Sequence, residues 1–276
     1  FAEANLPLDE FAGGDHATGR ATSSAASGLL AKVYLTMAGH PLNKGVSHFQ
    51  LAKDYAQKVI DMGIYELMDD YGTIFLTNNE NNREWLFSVQ FGPLENDQGN
   101  WGGWHNTGEN KVLDQPYGSG YGRIVLTQEM TQKWHEDDPR GKYIIVPIQN
   151  NGKPEKNKWK YKTRKFRFVE EVLAKNFTSI NAPVLRYADI LLTLAEAENE
   201  VNGPTALAFD AINQVRARAR QGIPFGNIEA SSEPADLSGL NQDNLREEIF
   251  WDRARELCME GLDRFDLVRS GNYYDL

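Results

Sequence analysis

The sequence predicts a mainly α fold: tetratricopeptide-like helical hairpins joined by long loops and a few short strands. Three observations carry this expectation. Helical pairs occur over residues 183–220 and 21–62, and a closing helical segment covers residues 244–270. Residues 65–180 have loop and short-strand character, and the chain is read as one domain over residues 1–276.

Residues 1–19 are rich in Gly, Asp and Ala, have no period and read as an irregular lead-in. They carry no initiator Met, charged n-region or apolar run, so any signal peptide or lipid-attachment cysteine is expected outside this chain. Helical spacing starts near Ala21, with Ala26, Leu29, Leu30, Val33, Tyr34 and Met37 on one face, and stops at Gly39-His40-Pro41. Ser47 is the expected N-cap of a second helix carrying Leu51, Ala52, Tyr55, Ala56, Val59 and Ile60 and ending at Gly63.

Glu84 to Phe91 reads as a short strand. Residues 93–122 are then a glycine-rich loop holding Trp101, Trp104, His105, Tyr117 and Tyr121 among Asp97, Gln98, Asn100, Asn106, Asn110 and Gln115. So long an irregular stretch inside a domain points to function, and its aromatic content argues against disorder. A helix is expected from Thr127 to Trp134, then an Asp137-Asp138-Pro139-Arg140 turn, then strands over Tyr143–Ile148 and Trp159–Phe168.

In the pair over residues 183–220, polar residues Arg186, Asp189, Thr193, Glu196 and Glu200 recur every three or four positions, opposite Val184, Leu185, Ala188, Leu191, Leu192 and Ala195. That spacing predicts one amphipathic helix with a wet stripe. Asn202-Gly203-Pro204 ends it and opens the next helix with proline at its first position. The second helix has Leu207, Ala208, Ala211, Ile212, Val215 and Ala219 inward, and Asp210, Asn213, Gln214, Arg218 and Arg220 outward. So short a turn makes the two antiparallel. A last helix from about Asn244 places Leu245, Ile249, Phe250, Ala254 and Leu257 inward.

Composition narrows the function classes. The 276 residues are 41% hydrophobic and 25% charged, ordinary for a globular chain. The longest apolar run, around Ile190 to Leu194, is too short to cross a bilayer as a helix. A net charge of −10 disfavours nucleic acid. Eight Lys or Arg between Lys153 and Arg167, interleaved with Trp159, Tyr161 and Phe166, read as a solvated hairpin strand before a nucleic-acid or anionic-polysaccharide surface. The single cysteine, Cys258, reads as a small buried apolar side chain. The five histidines have no ligand spacing, no metal or cofactor motif is present, and no carboxylate pair, P-loop or nucleophile elbow marks an enzyme. Asn78-Asn79-Glu80-Asn81-Asn82 reads as a polar turn rather than a Ca²⁺ loop.

Several segments also carry a family resemblance. They are Arg186-Tyr187-Ala188-Asp189-Ile190-Leu191-Leu192, Ala195-Glu196-Ala197, Ala211 to Ala219, and Glu256-Leu257 through Glu260-Gly261 to Asp266-Leu267-Val268-Arg269-Ser270-Gly271. Together with Leu29 to Leu35, Ala52 to Asp61 and the Asp-Pro-Arg turn, they resemble the SusD/RagB family. Ala254 and Asp263 depart, standing where the family commonly has arginine. The resemblance implies the later half of a SusD-like member, truncated at both ends. It further implies a non-catalytic, lipid-anchored protein on the extracellular face of the outer membrane, delivering oligosaccharide to a SusC-like TonB-dependent transporter. A RagB-like peptide- or protein-binding module is the alternative, with a glycoside hydrolase third.

A sugar ring needs a flat aromatic surface beside amide and carboxylate partners. Trp101 and Trp104, with Tyr121, Asn106, Asp97 and Gln98, meet that composition and are the expected ligand-binding residues, with Trp159 as a lesser candidate. The competing expectation is that the tryptophans cover the core.

Overall fold

The computed structural model describes residues 1–8, 19–92, 99, 101–105, 124–147, 149–150, 153–154, 161–163, 165–166 and 179–274. A one-turn helix α1 (Ala2–Asn5) interrupts the expected irregular lead-in. The segment after it docks on the next helix, with Ser23 N donating to Pro7 O (2.7 Å) and Ser24 N to Leu8 O (3.1 Å).

Helices α2 (Ser23–Ala38) and α3 (Val46–Asp61) form the first hairpin. Thr22 caps α2 by accepting from Ala25 N, and Gly28 lets it approach the strand behind, since a Cβ there would lie 2.6 Å from Leu185. The N-cap of α3 is Gly45, at φ +66°, so Ser47 lies one step inside the helix rather than capping it. Strand β1 (Trp85–Val89) follows, then the short helices α4 (Trp101–His105), α5 (Gln128–Thr131) and α6 (Pro139–Ile144). Strands β2 (Val146–Pro147), β3 (Gln149–Asn150), β4 (Lys153–Pro154), β5 (Tyr161–Lys162) and β6 (Ala182–Arg186) make three antiparallel pairs, β1–β6, β2–β5 and β3–β4. The second hairpin is α7 (Tyr187–Asn202) with α8 (Ala206–Ala219), and α9 (Gln242–Glu256) and α10 (Asp263–Ser270) close the chain. The architecture is mainly helical, with hairpins and a few short strands, as the periodicity predicts.

Several boundaries differ from the sequence expectation for local physical reasons. Tyr143 and Ile144 end α6 instead of starting a strand, because Asp138 accepts from Arg140 N (2.9 Å) and Pro139 supplies a preset first helical residue. Val184, Leu185 and Arg186 belong to β6, paired with β1, so the amphipathic helix begins only at Tyr187. Pro204 lies before the N-cap, a role Thr205 takes by accepting from Ala208 N. The helix expected over Thr127–Trp134 is only Gln128–Thr131, capped by the Thr127 hydroxyl. Trp159 lies outside the described residues.

The wet stripes are the largest correction. Arg186, Asp189, Thr193 and Arg218 are buried. Helix α9 packs across α7 and supplies opposite charges, so these polar residues face a neighbour rather than water. Arg253 of α9 donates to Asp189 (2.8 Å) and Lys32 of α2 reaches its other oxygen (2.9 Å). Burial opposes ionisation of Asp189, but Lys32 and Arg253 outweigh it and hold the carboxyl well below the usual range. Glu196 and Glu200, also read as solvated, are ion-paired to Arg269 and Arg246.

Two large hydrophobic clusters result among the described residues, beside a small one of Leu35, Ala52 and Ala197. One joins Ala56, Val59, Leu191, Leu194, Ala211, Ile212, Val215, Leu245 and Ile249 from successive helices. The other is aromatic, with Tyr71, Phe75, Trp85, Trp134, Tyr143 and Phe166, and draws on segments from Tyr71 to Met259.

Candidate functional site

Between these clusters lies a buried charge network. Glu256, at the end of α9, accepts from Arg140 (3.1 Å), Arg186 (3.2 Å) and Arg218 (2.5 Å). Glu84, just before β1, accepts from Arg186 and from Arg218 (2.9 Å). Glu260 accepts from Arg186 (2.7 Å) and Lys165 (2.6 Å). Burial alone would push the Glu256 carboxyl up; Arg218, Arg186, Arg140 and Lys165 bring it well below its ordinary value. Buried ions are tolerable only when they are paired, and the interlocking carboxylates supply a counter-charge to each of these cations.

Lys165 ties this network to the aromatic region, correcting its expected place on a solvated strand. Its Nζ donates to Glu256 O (2.9 Å), Cys258 O (2.8 Å) and the Glu260 carboxylate. Burial lowers its pKa below the usual lysine range. Its neighbour Phe166 therefore sits fixed, with ring centroids 5.3 Å from Phe75, 5.4 Å from Trp101 and 4.7 Å from His105.

Helix α4 rests on that ring. His105 is buried, with Nδ1 2.8 Å from Trp101 O and Nε2 3.0 Å from Met259 O. Burial drives its pKa down to about 4, so at neutral pH the imidazole carries one N–H and donates to one of the two carbonyls at a time. Trp101 is half-buried in the aromatic cluster, its indole 4.6 Å from the His105 ring, and among the described residues its Nε1 has no acceptor. Trp104, one turn on, is 44% exposed, and its carbonyl accepts from Ile124 N (3.1 Å).

The expected site residues thus divide. Trp101 and Trp104 share α4, one directed to the core and one outward, while Tyr121, Asn106, Asp97 and Gln98 lie outside the described residues. Sequence reasoning missed the supports, His105 and Lys165-Phe166. Their partners are distant in the chain, Met259 being 154 residues from His105 and Glu260 95 residues from Lys165. No periodicity signals such contacts.

Among the described residues, no group of three or more His, Cys, Asp or Glu side chains could hold a metal ion. Cys258 is buried, and burial pushes its thiol far above the ordinary range, leaving no thiolate at neutral pH.

Comparisons place the chain among known proteins. The SusD family profile matches residues 137–275, just over half of the sequence. A SusD-like protein of Formosa agariphila is 27% identical over 294 residues, an alignment covering 94% of this chain and 51% of that relative. Among solved structures, a SusD homolog from Bacteroides thetaiotaomicron superposes with a TM-score of 0.81 at 27% identity, covering 99% of this chain and 58% of that one. A SusD superfamily protein from Parabacteroides distasonis gives 0.72 at 26%, covering 98% and 55%. The chain spans about half the length of the curated relative that it matches over most of its own length. The motif segments, the helical hairpins and the profile match agree, and the chain belongs to the SusD family.

Proposed function

We propose that residues 1–276 act as one SusD-like domain of a non-catalytic glycan-capture protein. The full-length protein would sit on the extracellular face of the outer membrane through an N-terminal lipid and pass oligosaccharide to a SusC-like TonB-dependent transporter. Family membership carries this reading. The exposed Trp104 on a short helix supports it, because an outward indole beside a loop rich in amides and carboxylates suits a sugar ring. Tyr121, Asn106, Asp97 and Gln98 complete the proposed surface by composition.

A glycan array on the full-length protein tests the reading, paired with an assay for new reducing ends. Binding to a restricted set of oligosaccharides without cleavage is expected. Binding to peptides alone would favour the RagB-like alternative, and release of reducing ends abolished by one carboxylate substitution would make the protein a hydrolase.

A further inference from the structure

Beyond the last residue pair of β1 and β6, Val89 with Ala182, the chain is held by a polar clasp. Asn181, directly before β6, is buried. Its N–H donates to the Glu80 carboxyl (2.7 Å), its Oδ1 accepts from Phe91 N (2.6 Å), and its Nδ2 donates to Gln90 Oε1 (2.9 Å). Gln90 is tied down in turn, its Nε2 donating to Asn81 Oδ1 (2.9 Å) and Ser88 Oγ (2.6 Å). One residue thus joins the turn at Glu80 to the chain leaving β1, and satisfies a backbone N–H there.

Phe91 carries this restraint to the candidate site. Its ring lies on buried Gly99, where a Cβ would stand only 2.4 Å from ring carbon Cε1. Two residues later Trp101 opens α4, the helix that bears Trp104. Phe166 and Met259 O support α4 from the core side, and Asn181, through Phe91 and Gly99, fixes the chain that enters it. We propose that Asn181 is a positioning residue for α4 and that the Glu80 carboxyl bonded to it makes the hold on α4 depend on pH.

Glu80 is half-buried, and burial raises its pKa from 4.5 to about 7 against the opposing pull of the Asn181 N–H. The charged residues of the surrounding segments, Arg20, Arg83, Glu84 and Arg186, do not enter that balance; Arg83 pairs with Glu66, and Glu84 with Arg186. An ionised Glu80 therefore gains by leaving the clasp for water. The clasp is at full strength below pH 4.5 and is weakened as pH rises through about 7. Asp263 is a second carboxyl raised into this window, to about 6, and lies near Met259, whose carbonyl meets His105. A Glu80 variant separates the two.

The test is amide hydrogen exchange of the 276-residue chain from about pH 5 to about pH 8, corrected for the intrinsic rate, reading Phe91 and α4 against α8 as internal reference. In the wild type, protection of Phe91 and α4 relative to α8 should fall roughly tenfold across that range. Glu80→Gln keeps an acceptor for Asn181 N and cannot ionise, so its protection should stay flat at the wild-type value for about pH 5. Asn181→Ala should lower protection of Phe91 and α4 at every pH. A wild-type profile that is flat, or one that persists in Glu80→Gln, would overturn the proposal. Asn181→Ala with α4 unchanged, or with α8 equally weakened, would overturn it too. Calling α4 a ligand surface rests on the glycan-capture reading, but the exchange measurement needs no sugar, so failure of one is distinguishable from failure of the other.

Discussion

The two hydrophobic clusters are held by different means. The helical cluster consists of aliphatic side chains at helical spacing, contributed by neighbouring helices. The aromatic cluster gathers rings from segments with no period, among them Tyr71, Trp85, Tyr143 and Phe166, and its neighbouring segments are tied down by buried ions. Chain order builds the first. Charge pairing across roughly a hundred residues or more builds the second, as in Arg186 with Glu84 (102 apart) and Arg140 with Glu256 (116 apart). The site-bearing helix α4 stands on the second, so the proposed ligand surface depends on the region whose stability is the more electrostatic.

Breaking that dependence should give the largest effect. Glu256→Gln leaves Arg140, Arg186 and Arg218 short of a buried counter-charge and should cost about 3–5 kcal/mol in a denaturant titration. Trp101→Ala removes a ring packed on Phe166 and His105 and should cost about 3 kcal/mol. A much smaller deletion in the helical cluster, the single methylene lost in Ile212→Val, should cost about 1 kcal/mol.

Acid separates the clusters further. The carboxyls of Glu256 and Glu260 titrate below their ordinary values, so their stabilisation is complete above the usual carboxylate range and fades as pH falls through and below about 4. Near-ultraviolet circular dichroism, which reports aromatic packing, should be lost at a higher pH than helical far-ultraviolet signal.

Glu80 behaves in the opposite sense. Burial raises its pKa from 4.5 to about 7, while it accepts from Asn181 N (2.7 Å). Its contribution is therefore full below pH 4.5 and is lost as pH rises through 7. Glu80→Gln should raise the melting temperature at pH 8 by roughly 2–4 °C, on the order of 1 kcal/mol after solvent screening, and leave it unchanged at pH 4.

The same division explains what could be read from the sequence. Leu191, Ile212, Val215 and Ile249 announce themselves by spacing, and the helices they stabilise lie where that spacing puts them. Arg186, Asp189 and Arg218 have the same spacing as solvated residues, and only the position of α9 turns them inward. Tyr143 lies in a helix and not in the expected strand because a local cap, Asp138 with Pro139, outweighs its β preference. At the site, composition singled out Trp101 and Trp104 together, but their opposite environments follow from Phe166, His105 and Met259, which no local pattern links to them.

The smallest stability effect belongs to the residue with the largest proposed functional one. Trp104→Ala removes a 44% exposed ring and should cost less than about 1 kcal/mol of folding stability. Measured beside the wild type against an oligosaccharide from the array, it should lower affinity roughly ten- to a hundredfold through lost stacking area, with the melting temperature nearly unchanged. Unchanged affinity with a markedly lower melting temperature would contradict the account and make Trp104, like Trp101, a core residue.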